Sequence, residues 1–207
     1  MMTDVLKIYG FPLSGHSHRV ELFANLAGLE HKYVLVDLAA GEHKKEPFLK
    51  LNPFGQVPAI EDGDVVLADS NAILVYLAKK YAPDWLPSDP LIEAEIQRLL
   101  SVAAGEIKYG PALARLATVF GAAVDVEKAT DLSNLVFGRI EKHLEGRDWA
   151  VGEMPTIADV ALYSYTAHAP EGNVDLAPYP NILNWLARIE ALPGFVGMPV
   201  TKVGLVA

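Results

Sequence analysis

Cysteine is absent from the chain: none occurs among its 207 residues. Without a thiol, the protein has no disulfide, no thiolate metal site, no iron–sulfur cluster and no thiol nucleophile of its own. The absence therefore excludes every function that depends on a cysteine side chain.

Positive charge and long apolar runs are also scarce. The chain has 17 Lys and Arg against 26 Asp and Glu, which gives a formal net charge of −9 and a pI near 5.1. Nucleic acids and anionic membranes need a basic footprint, so neither is expected as a partner. No stretch is long and apolar enough to span a bilayer, and residues 1–10 lack the basic-then-apolar pattern of a signal peptide. We expect a soluble, cytoplasmic protein.

What the chain does have is apolar surface to bury, since 51% of its residues are hydrophobic. That proportion is enough for a substantial core. Residues 82–90, "APDWLPSDP", contain three prolines in nine positions and separate two apolar patterns. The prediction is an α/β domain over residues 1–81, a linker over 82–90 and an all-α helical bundle over 91–207.

The first region has the pattern β-α-β, a connecting segment, then β-β-α. The first helix ends near Gly28, and a helix between two strands implies that the strands are parallel. Asp62-Gly63 between apolar runs predicts a hairpin, and Ser70 is the predicted cap of the following helix. With the connecting segment counted as helical, this β-α-β-α-β-β-α order is that of a thioredoxin-like domain. The predicted strands are Val5–Tyr9, Tyr33–Leu38, Pro58–Glu61 and Val65–Ala68.

The second region is predicted to be helical throughout. Thr156 and Asp159 have the spacing of a capping box, and Asn181 is a suitable cap for the last helix. The clearest helices are predicted over residues 91–105, 126–144, 156–168 and 182–192.

The loop "GFPLSGHSHRV" joins the first predicted strand to the first helix. Free amides and the positive end of the dipole at a helix start favour an anion, and Ser14 adds a hydroxyl there. Ser14 or Ser17 is also suited to an ordinary helix cap, and the residues alone leave both roles open. His16 and His18 lack carboxylate neighbours at ligand spacing, so no metal site is predicted.

Two further segments carry polar side chains that have two interpretations each. "GEHKKEPF" places His43 and Lys44 where they would meet a carboxylate if the segment folds over a site, although such clusters are usually solvated surface. "LADSNA" places Asp69 and Ser70 at a helix start. There they would either grip the ammonium and carboxylate of an amino-acid head group or cap the helix.

The proline in "FGQVPAI" interrupts the opening of a predicted strand. Proline has no backbone N–H, so sheets keep it at edges, bulges or first positions. In isolation the Val57–Pro58 bond favours trans, because cis occurs in only about 5–6% of X–Pro bonds in folded proteins. A cis bond would instead angle the chain so that Val57 presents its backbone outward.

Together these segments resemble the glutathione S-transferase family over essentially the whole chain. The resemblance is carried by the order and spacing of "FPLSGHSHRV", "DLAAGEHKKEPFLKLNPFGQVPAIEDGDVVLADSNAI" and "PTIADVALY". The middle block is most similar to the serine-type, phi-like transferases, including bacterial ones. The resemblance implies a thioredoxin-like domain that binds glutathione, a helical domain that lines the pocket for the electrophile, and a homodimer.

The resemblance also implies a role for each matching residue. Ser14 matches the catalytic serine whose hydroxyl binds the glutathione sulfur. Val57 precedes the family's cis-proline, so the Val57–Pro58 bond is predicted to be cis, and a trans bond would undermine the site. The other matches are His43 and Lys44 near the glycine carboxylate, Gln56, Val57 and Pro58 at the peptide backbone, and Asp69 and Ser70 at the γ-glutamyl group.

The implied activity is transfer of glutathione to a small apolar electrophile that carries an alkyl or aryl group, with glutathione-dependent peroxide reduction as a side activity. Tyr9, the competing hydroxyl in other classes, lies within the first strand and is interpreted as a packing residue. The absence of cysteine also counts against thioltransferase and dehydroascorbate reductase activities, which the family assigns to a cysteine. The residues predicted to line the electrophile pocket, each of which is also a candidate core residue, are Phe11, Leu13, Tyr109, Phe120 and Tyr165.

Two other functions stay open at this point. One is a non-catalytic module of the same fold that serves in binding or assembly, and the other is a thiol-independent binding protein for apolar ligands. The presence of Ser14, the Gln-Val-Pro turn and the Asp-Ser pair favours the enzyme.

Overall fold

Two units make up the chain in the computed structural model, which describes residues 5–207. The first unit extends to Asp84 and includes residues 193–199, while the second contains residues 85–192 and 200–207. The first unit has the sheet and the second is helical, which confirms the fold class predicted from the change in apolar pattern.

The boundary between the units lies inside the predicted linker, residues 82–90. The C-terminal assignment differs from the prediction, which places all of residues 91–207 in the helical domain. Residues 193–199 pack with the first unit instead, where Nε2 of His18 lies 2.9 Å from the carbonyl oxygen of Val196. A segment without apolar periodicity is placed by its packing partners, which a sequence pattern does not reveal.

Four strands form the sheet of the first unit: β1 (Leu6–Gly10), β2 (His31–Leu35), β3 (Ala59–Asp62) and β4 (Val65–Ala68). Their order is β2-β1-β3-β4. β1 and β2 are parallel, whereas β3 is antiparallel to both β1 and β4. β2 ends at Leu35 rather than at the predicted Leu38, because its partner β1 ends at Gly10, the residue that pairs with Leu35.

Helices cover both faces of this sheet. Their bounds are α1 Gly15–Leu26, α2 Phe48–Leu51 and α3 Ser70–Tyr81. Successive side chains of a strand point to opposite faces, so Ile8 and Tyr9 of β1 face different helices. Tyr9 packs against the buried cluster that contains Phe48 of α2, while Ile8 is fully buried on the other face. α1 contacts β1 and α3.

The helical unit has five longer helices: α4 (Pro90–Val102), α5 (Pro111–Phe120), α6 (Val126–His143), α7 (Ile157–Ala167) and α8 (Pro180–Glu190). Residues 103–107 continue α4 as a π-helix. Every residue from Ile157 to Thr166 is buried, as expected for a predominantly apolar helix in a core. Within residues 5–207 no helix is long and apolar enough to cross a membrane.

α5 is the one longer helix of this unit that the sequence pattern does not predict. The Gly110-Pro111 pair indicates a loop. In the structure Pro111 is the first residue of the helix, a position where the missing N–H has no intrahelical partner to lose. The Gly-Pro pair, which usually interrupts a helix, therefore marks the start of α5.

The capping box at Thr156 and Asp159 is confirmed. The Asp159 carboxylate is 1% exposed, and it also accepts the amide of Ala150 and Nε1 of Trp185, each at 2.8 Å. This one carboxylate therefore fastens the start of α7 to α8 and to the loop before α7.

The predicted cap of the last helix, Asn181, is wrong. α8 begins at Pro180, and the amides of Asn181 and Ile182 donate to the carboxylate of Glu141, each at 3.0 Å. A side chain from α6 thus caps α8, and such a partner cannot be found from local spacing.

A second buried carboxylate, Glu171, anchors the C-terminal segment of the helical unit. It is 1% exposed and accepts hydrogen bonds from Nε of Arg115 at 2.6 Å, Nδ1 of His168 at 2.7 Å and Oγ1 of Thr201 at 2.7 Å. Burial alone raises the pKa of Glu171, but hydrogen bonds from Thr201 and His168 and the charge of Arg115 hold the pKa below its ordinary value. The network therefore contains a buried ion pair whose carboxylate accepts several hydrogen bonds.

We predict that Glu171→Gln destabilises the protein by about 3–5 kcal/mol, because it removes the carboxylate charge from a buried ion pair. Urea unfolding followed by tryptophan fluorescence measures the change. Asp148→Asn is the matched control, since the Asp148–Arg188 pair at 2.9 Å is solvent-exposed and its loss should cost no more than about 0.5 kcal/mol. Equal stability of the two variants would contradict the prediction.

Candidate functional site

Polar segments of the first unit meet at one end of the sheet. In the sheet register Tyr9 pairs with Ala59, and Ala59 pairs with Ala68. β4 ends and β3 begins at this row, and β1 ends one residue beyond it. The loop after β1, the turn before β3 and the start of α3 are therefore neighbours, although they are far apart in the chain.

Ser14 is the N-cap of α1. It is half-buried, and its Oγ accepts the amide of Ser17 at 3.3 Å. Ser17, the alternative cap, is fully buried, and its Oγ accepts the amide of Phe11 at 3.1 Å. A hydroxyl has one donor proton besides its acceptor lone pairs. Capping by Ser14 is therefore compatible with donation of its proton to a ligand.

α3 begins at a residue with unusual backbone geometry. Asp69 has φ of +73°, a region that few residues other than glycine adopt and that often marks functional sites. Its side chain accepts the amides of Asn71 and Ala72, each at 3.0 Å. Asp69 is thus the N-cap and the prediction of Ser70 as the cap is wrong, because the carboxylate one residue earlier reaches both amides. Ser70 itself is 4% exposed.

A buried arginine joins α1 to the start of α3. Arg19 is 1% exposed, and its Nη1 donates to Oγ of Ser70 at 2.8 Å and to Oδ1 of Asn71 at 2.9 Å. Nδ1 of His16 lies 3.3 Å from the same serine oxygen. Sequence reasoning missed Arg19. The available signal was its position four residues before Phe23, on the predicted apolar face of the helix.

The Val57–Pro58 bond is cis, as predicted. Pro58 is buried, Val57 is half-buried and Gln56 is exposed. The pairing of β3 with β1 begins at Ala59, so the proline precedes the strand and Val57 lies just beyond the end of the ladder.

Asn52 fastens this turn, and sequence reasoning missed it because Asn-Pro is an ordinary turn signal. Asn52 is 5% exposed. Its Nδ2 donates to the carbonyl oxygen of Gln56 at 2.6 Å, and its Oδ1 accepts the amide of Phe54 at 3.1 Å. A buried side chain therefore sets the backbone that leads to Val57.

His43 and Lys44 lie against the same turn. Nζ of Lys44 donates to the carbonyl oxygen of Gly55 at 2.8 Å. Gly55 has φ of +58°, and a Cβ there would come within 2.7 Å of the carbonyl oxygen of His43, so the position needs glycine. Burial, and then the charge of Lys44, lower the pKa of His43. Its Nδ1 is buried and has no hydrogen-bond partner within residues 5–207.

Tyr9 does more than pack. Its hydroxyl donates to the carboxylate of Glu61, which also accepts Nζ of Lys7 at 3.1 Å. Burial, followed by the hydrogen bond and charge of Glu61, raises the pKa of Tyr9 to about 12. The phenol is therefore neutral near pH 7 and its proton is committed to Glu61.

The residues predicted to line the electrophile pocket have different environments. Phe11 and Leu13 are half-buried in the loop after β1. In the helical unit Tyr109 and Phe120 are 55% and 45% exposed, whereas Tyr165 on α7 is 8% exposed. That unit has a cavity of about 310 Å³ between α4, α6, α7 and α8, but these three aromatic residues do not line it.

The sheet order, the cis-proline turn and the helical second unit define a protein with a thioredoxin-like N-terminal domain and an all-α C-terminal domain. Residues 4–79 match the family described as "Glutathione S-transferase, N-terminal domain", and residues 94–193 match "Glutathione S-transferase, C-terminal domain". The chain belongs to the glutathione S-transferase family.

Individual relatives agree over nearly the whole length. "Glutathione S-transferase 3" of Zea mays is 36% identical over 203 residues, covering 92% of this chain and 91% of the relative. The crystal structure of a glutathione S-transferase from Pseudomonas fluorescens has a TM-score of 0.90 at 32% identity, covering 95% of this chain and 100% of that one. A glutathione transferase homologue from Drosophila mojavensis with bound glutathione has a TM-score of 0.83 at 29% identity, covering 91% and 89%.

We predict that Asn52→Ala destabilises the protein by about 1–3 kcal/mol, because the buried side chain is the hydrogen-bond partner of both Gln56 and Phe54. Gln56→Ala is the matched control in the same turn. Its exposed side chain should contribute less than about 0.5 kcal/mol. Thermal and urea unfolding compare the two variants, and an Asn52→Ala protein as stable as the control would show that the turn needs no such fastening.

Proposed function

We propose that this chain binds glutathione at the end of the sheet where β1, β3 and β4 meet, and that it transfers glutathione to small apolar electrophiles. Ser14 is proposed as the catalytic residue that stabilises the thiolate. The observation that carries the proposal is the placement of the Ser14 hydroxyl at the start of α1, with its oxygen accepting the Ser17 amide and its proton available for donation.

The proposed role of Ser14 has a definite energetic size. A thiol with a pKa of about 8.5 is about 3% thiolate at pH 7, and a pKa of about 6.5 makes it about 75% thiolate at a cost of about 2.7 kcal/mol. One hydrogen bond to a charged group supplies about 1.5–3 kcal/mol. Ser14 and the positive end of α1 are therefore sufficient without a cationic side chain at the sulfur.

A lower pKa also makes the thiolate less nucleophilic. The dependence has a slope of about 0.4–0.5 in disulfide exchange, which offsets much of the roughly 25-fold gain in thiolate population. Positioning of the electrophile beside the sulfur must then supply much of the rate.

The start of α3 supports a role in holding the γ-glutamyl group. Asp69 is exposed with an unusual φ, and its carboxylate is proposed to bind the ammonium. Ser70, at the N-terminus of α3, is proposed to bind the carboxylate, since a helix N-terminus favours an anion. A strained backbone conformation such as that of Asp69 is found most often at functional sites, which supports this role.

The cis-proline turn supports a role in holding the peptide backbone. Gln56 is exposed and Val57 lies beyond the end of the β3 ladder, so Val57 is proposed to pair with glutathione as an added strand would. His43 and Lys44 are proposed to meet the glycine carboxylate. Since the pKa of His43 is lowered, the imidazole would act as a neutral donor while Lys44 supplies charge.

The preference for an apolar electrophile is proposed on the composition of the loop. Phe11 and Leu13, in the loop just before Ser14, are half-buried and offer apolar surface to an electrophile. Contact with Tyr109, Phe120 and Tyr165 remains a prediction of the family resemblance. Peroxide reduction as a side activity and assembly as a homodimer are proposed on the same resemblance.

We predict that Ser14→Ala raises the pKa of bound glutathione by about 1–2 units, because it removes a hydrogen bond worth about 1.5–3 kcal/mol to the thiolate. Titration of the thiolate absorbance of the complex measures the pKa. Below the raised pKa the variant should lose activity, but by less than its loss of thiolate, because a more basic thiolate is a better nucleophile.

Tyr9→Phe is the control for this experiment, since it removes the other hydroxyl near the end of β1 without touching the proposed sulfur site. Its bound thiol pKa should equal that of the parent. An unchanged pKa in Ser14→Ala, or a larger change in Tyr9→Phe, would overturn the proposed role of Ser14.

Glutathione is also expected to raise the melting temperature, because a ligand that binds only the folded chain stabilises it. A panel of aryl halides, epoxides, isothiocyanates and hydroperoxides, assayed with and without glutathione, then tests catalysis. Stabilisation without turnover of any of these would indicate a non-catalytic binding module instead. Absence of stabilisation would overturn glutathione binding itself.

A further inference from the structure

Arg19 is a buried cation that reaches the proposed γ-glutamyl site only through other side chains. Its Nη1 donates to Oγ of Ser70 at 2.8 Å and to Oδ1 of Asn71 at 2.9 Å. A guanidinium has only donors, so both oxygens must accept. In these two hydrogen bonds Arg19 is therefore the donor, and the side-chain oxygens of Ser70 and Asn71 are the acceptors.

This direction determines what Ser70 can offer. Since its oxygen accepts from Arg19, its single proton must point to a different acceptor. Nδ1 of His16, 3.3 Å away, is an acceptor when the imidazole is neutral. A ligand carboxylate at the start of α3 is a stronger acceptor, because hydrogen bonds to ionised groups are about twice as strong as neutral ones.

We propose that Arg19 is a positioning residue that sets Ser70 as a hydrogen-bond donor toward the α-carboxylate of the γ-glutamyl group. The inference rests on the proposed function. Arg19 acts through Ser70 and does not touch the sulfur, so it sets affinity for the anionic end of glutathione and leaves the thiol pKa unchanged. It also makes the site selective for a carboxylate over the isosteric carboxamide.

The test uses the full chain and four variants: Arg19→Met, Arg19→Lys, Ser70→Ala and the double variant Arg19→Met/Ser70→Ala. Arg19→Met should raise both Kd and KM for glutathione about tenfold. In the same variant kcat should change by less than about twofold, and the pKa of the bound thiol by less than about 0.2 units. Arg19→Lys keeps a donor for one of the two oxygens, so its KM should fall between those of Arg19→Met and the parent. In the Ser70→Ala background, Arg19→Met should add no more than about a twofold effect.

A second ligand separates positioning from general loss of structure. The probe is the glutathione analogue whose γ-glutamyl α-carboxylate is replaced by a carboxamide. The parent should bind it about tenfold more weakly than glutathione, and Arg19→Met should bind the two ligands with nearly equal Kd. Arg188→Met, at an exposed site in the helical unit, is the control and should keep the preference of the parent.

Three results would overturn the inference while the parent still binds glutathione. One is a lowered melting temperature in both Arg19 variants with unchanged Kd, which indicates a purely structural role. The second is additivity of Arg19→Met and Ser70→Ala, and the third is an unchanged carboxylate preference in Arg19→Met. A parent that does not bind glutathione would overturn the proposed function as well, so the two failures are distinguishable.

Discussion

The antiparallel register of β3 between β1 and β4 is the constraint on which the site depends. Because Ala59 pairs with both Tyr9 and Ala68, the end of β1, the start of β3 and the end of β4 share one edge. Ser14, Val57 and Asp69 belong to three segments that are distant in the chain, and this register brings the three segments to one end of the sheet. A slip of one residue would turn every side chain of β3 to the opposite face, so the apolar core and the site are specified by the same pairing.

Buried polar side chains hold the segments that form the site. Arg19 orients Ser70, and Asn52 holds the turn that leads to Val57. Under the proposed function, exposed side chains such as Asp69 contact the ligand, while these buried side chains hold the surrounding segments in place. The helical unit follows the same rule, since Glu171 and Asp159 are buried carboxylates whose hydrogen bonds tie together segments distant in the chain.

Much of the fold could be predicted because its signals are local. The order of strands and helices follows from apolar spacing, and the capping box at Thr156 and Asp159 needs only two residues three positions apart. Predictions failed where the partner is distant: Glu141, on another helix, takes the place of Asn181 at the start of α8. Arg19 was missed for the same reason, since its hydrogen bonds to Ser70 and Asn71 of α3 join residues that are distant in the chain.

By itself the amino-acid sequence determined the two-part organisation, the thioredoxin-like order and the motifs of the glutathione S-transferase family, because these are expressed in composition and short-range pattern. Tertiary structure alone decided that residues 193–199 pack with the sheet unit, that Asp69 rather than Ser70 caps α3, and that the proton of Tyr9 is held by Glu61. Each of these features depends on contacts between residues that are distant in the chain. The free energies of burial and hydrogen bonding that stabilise such contacts cannot be predicted from short sequence patterns.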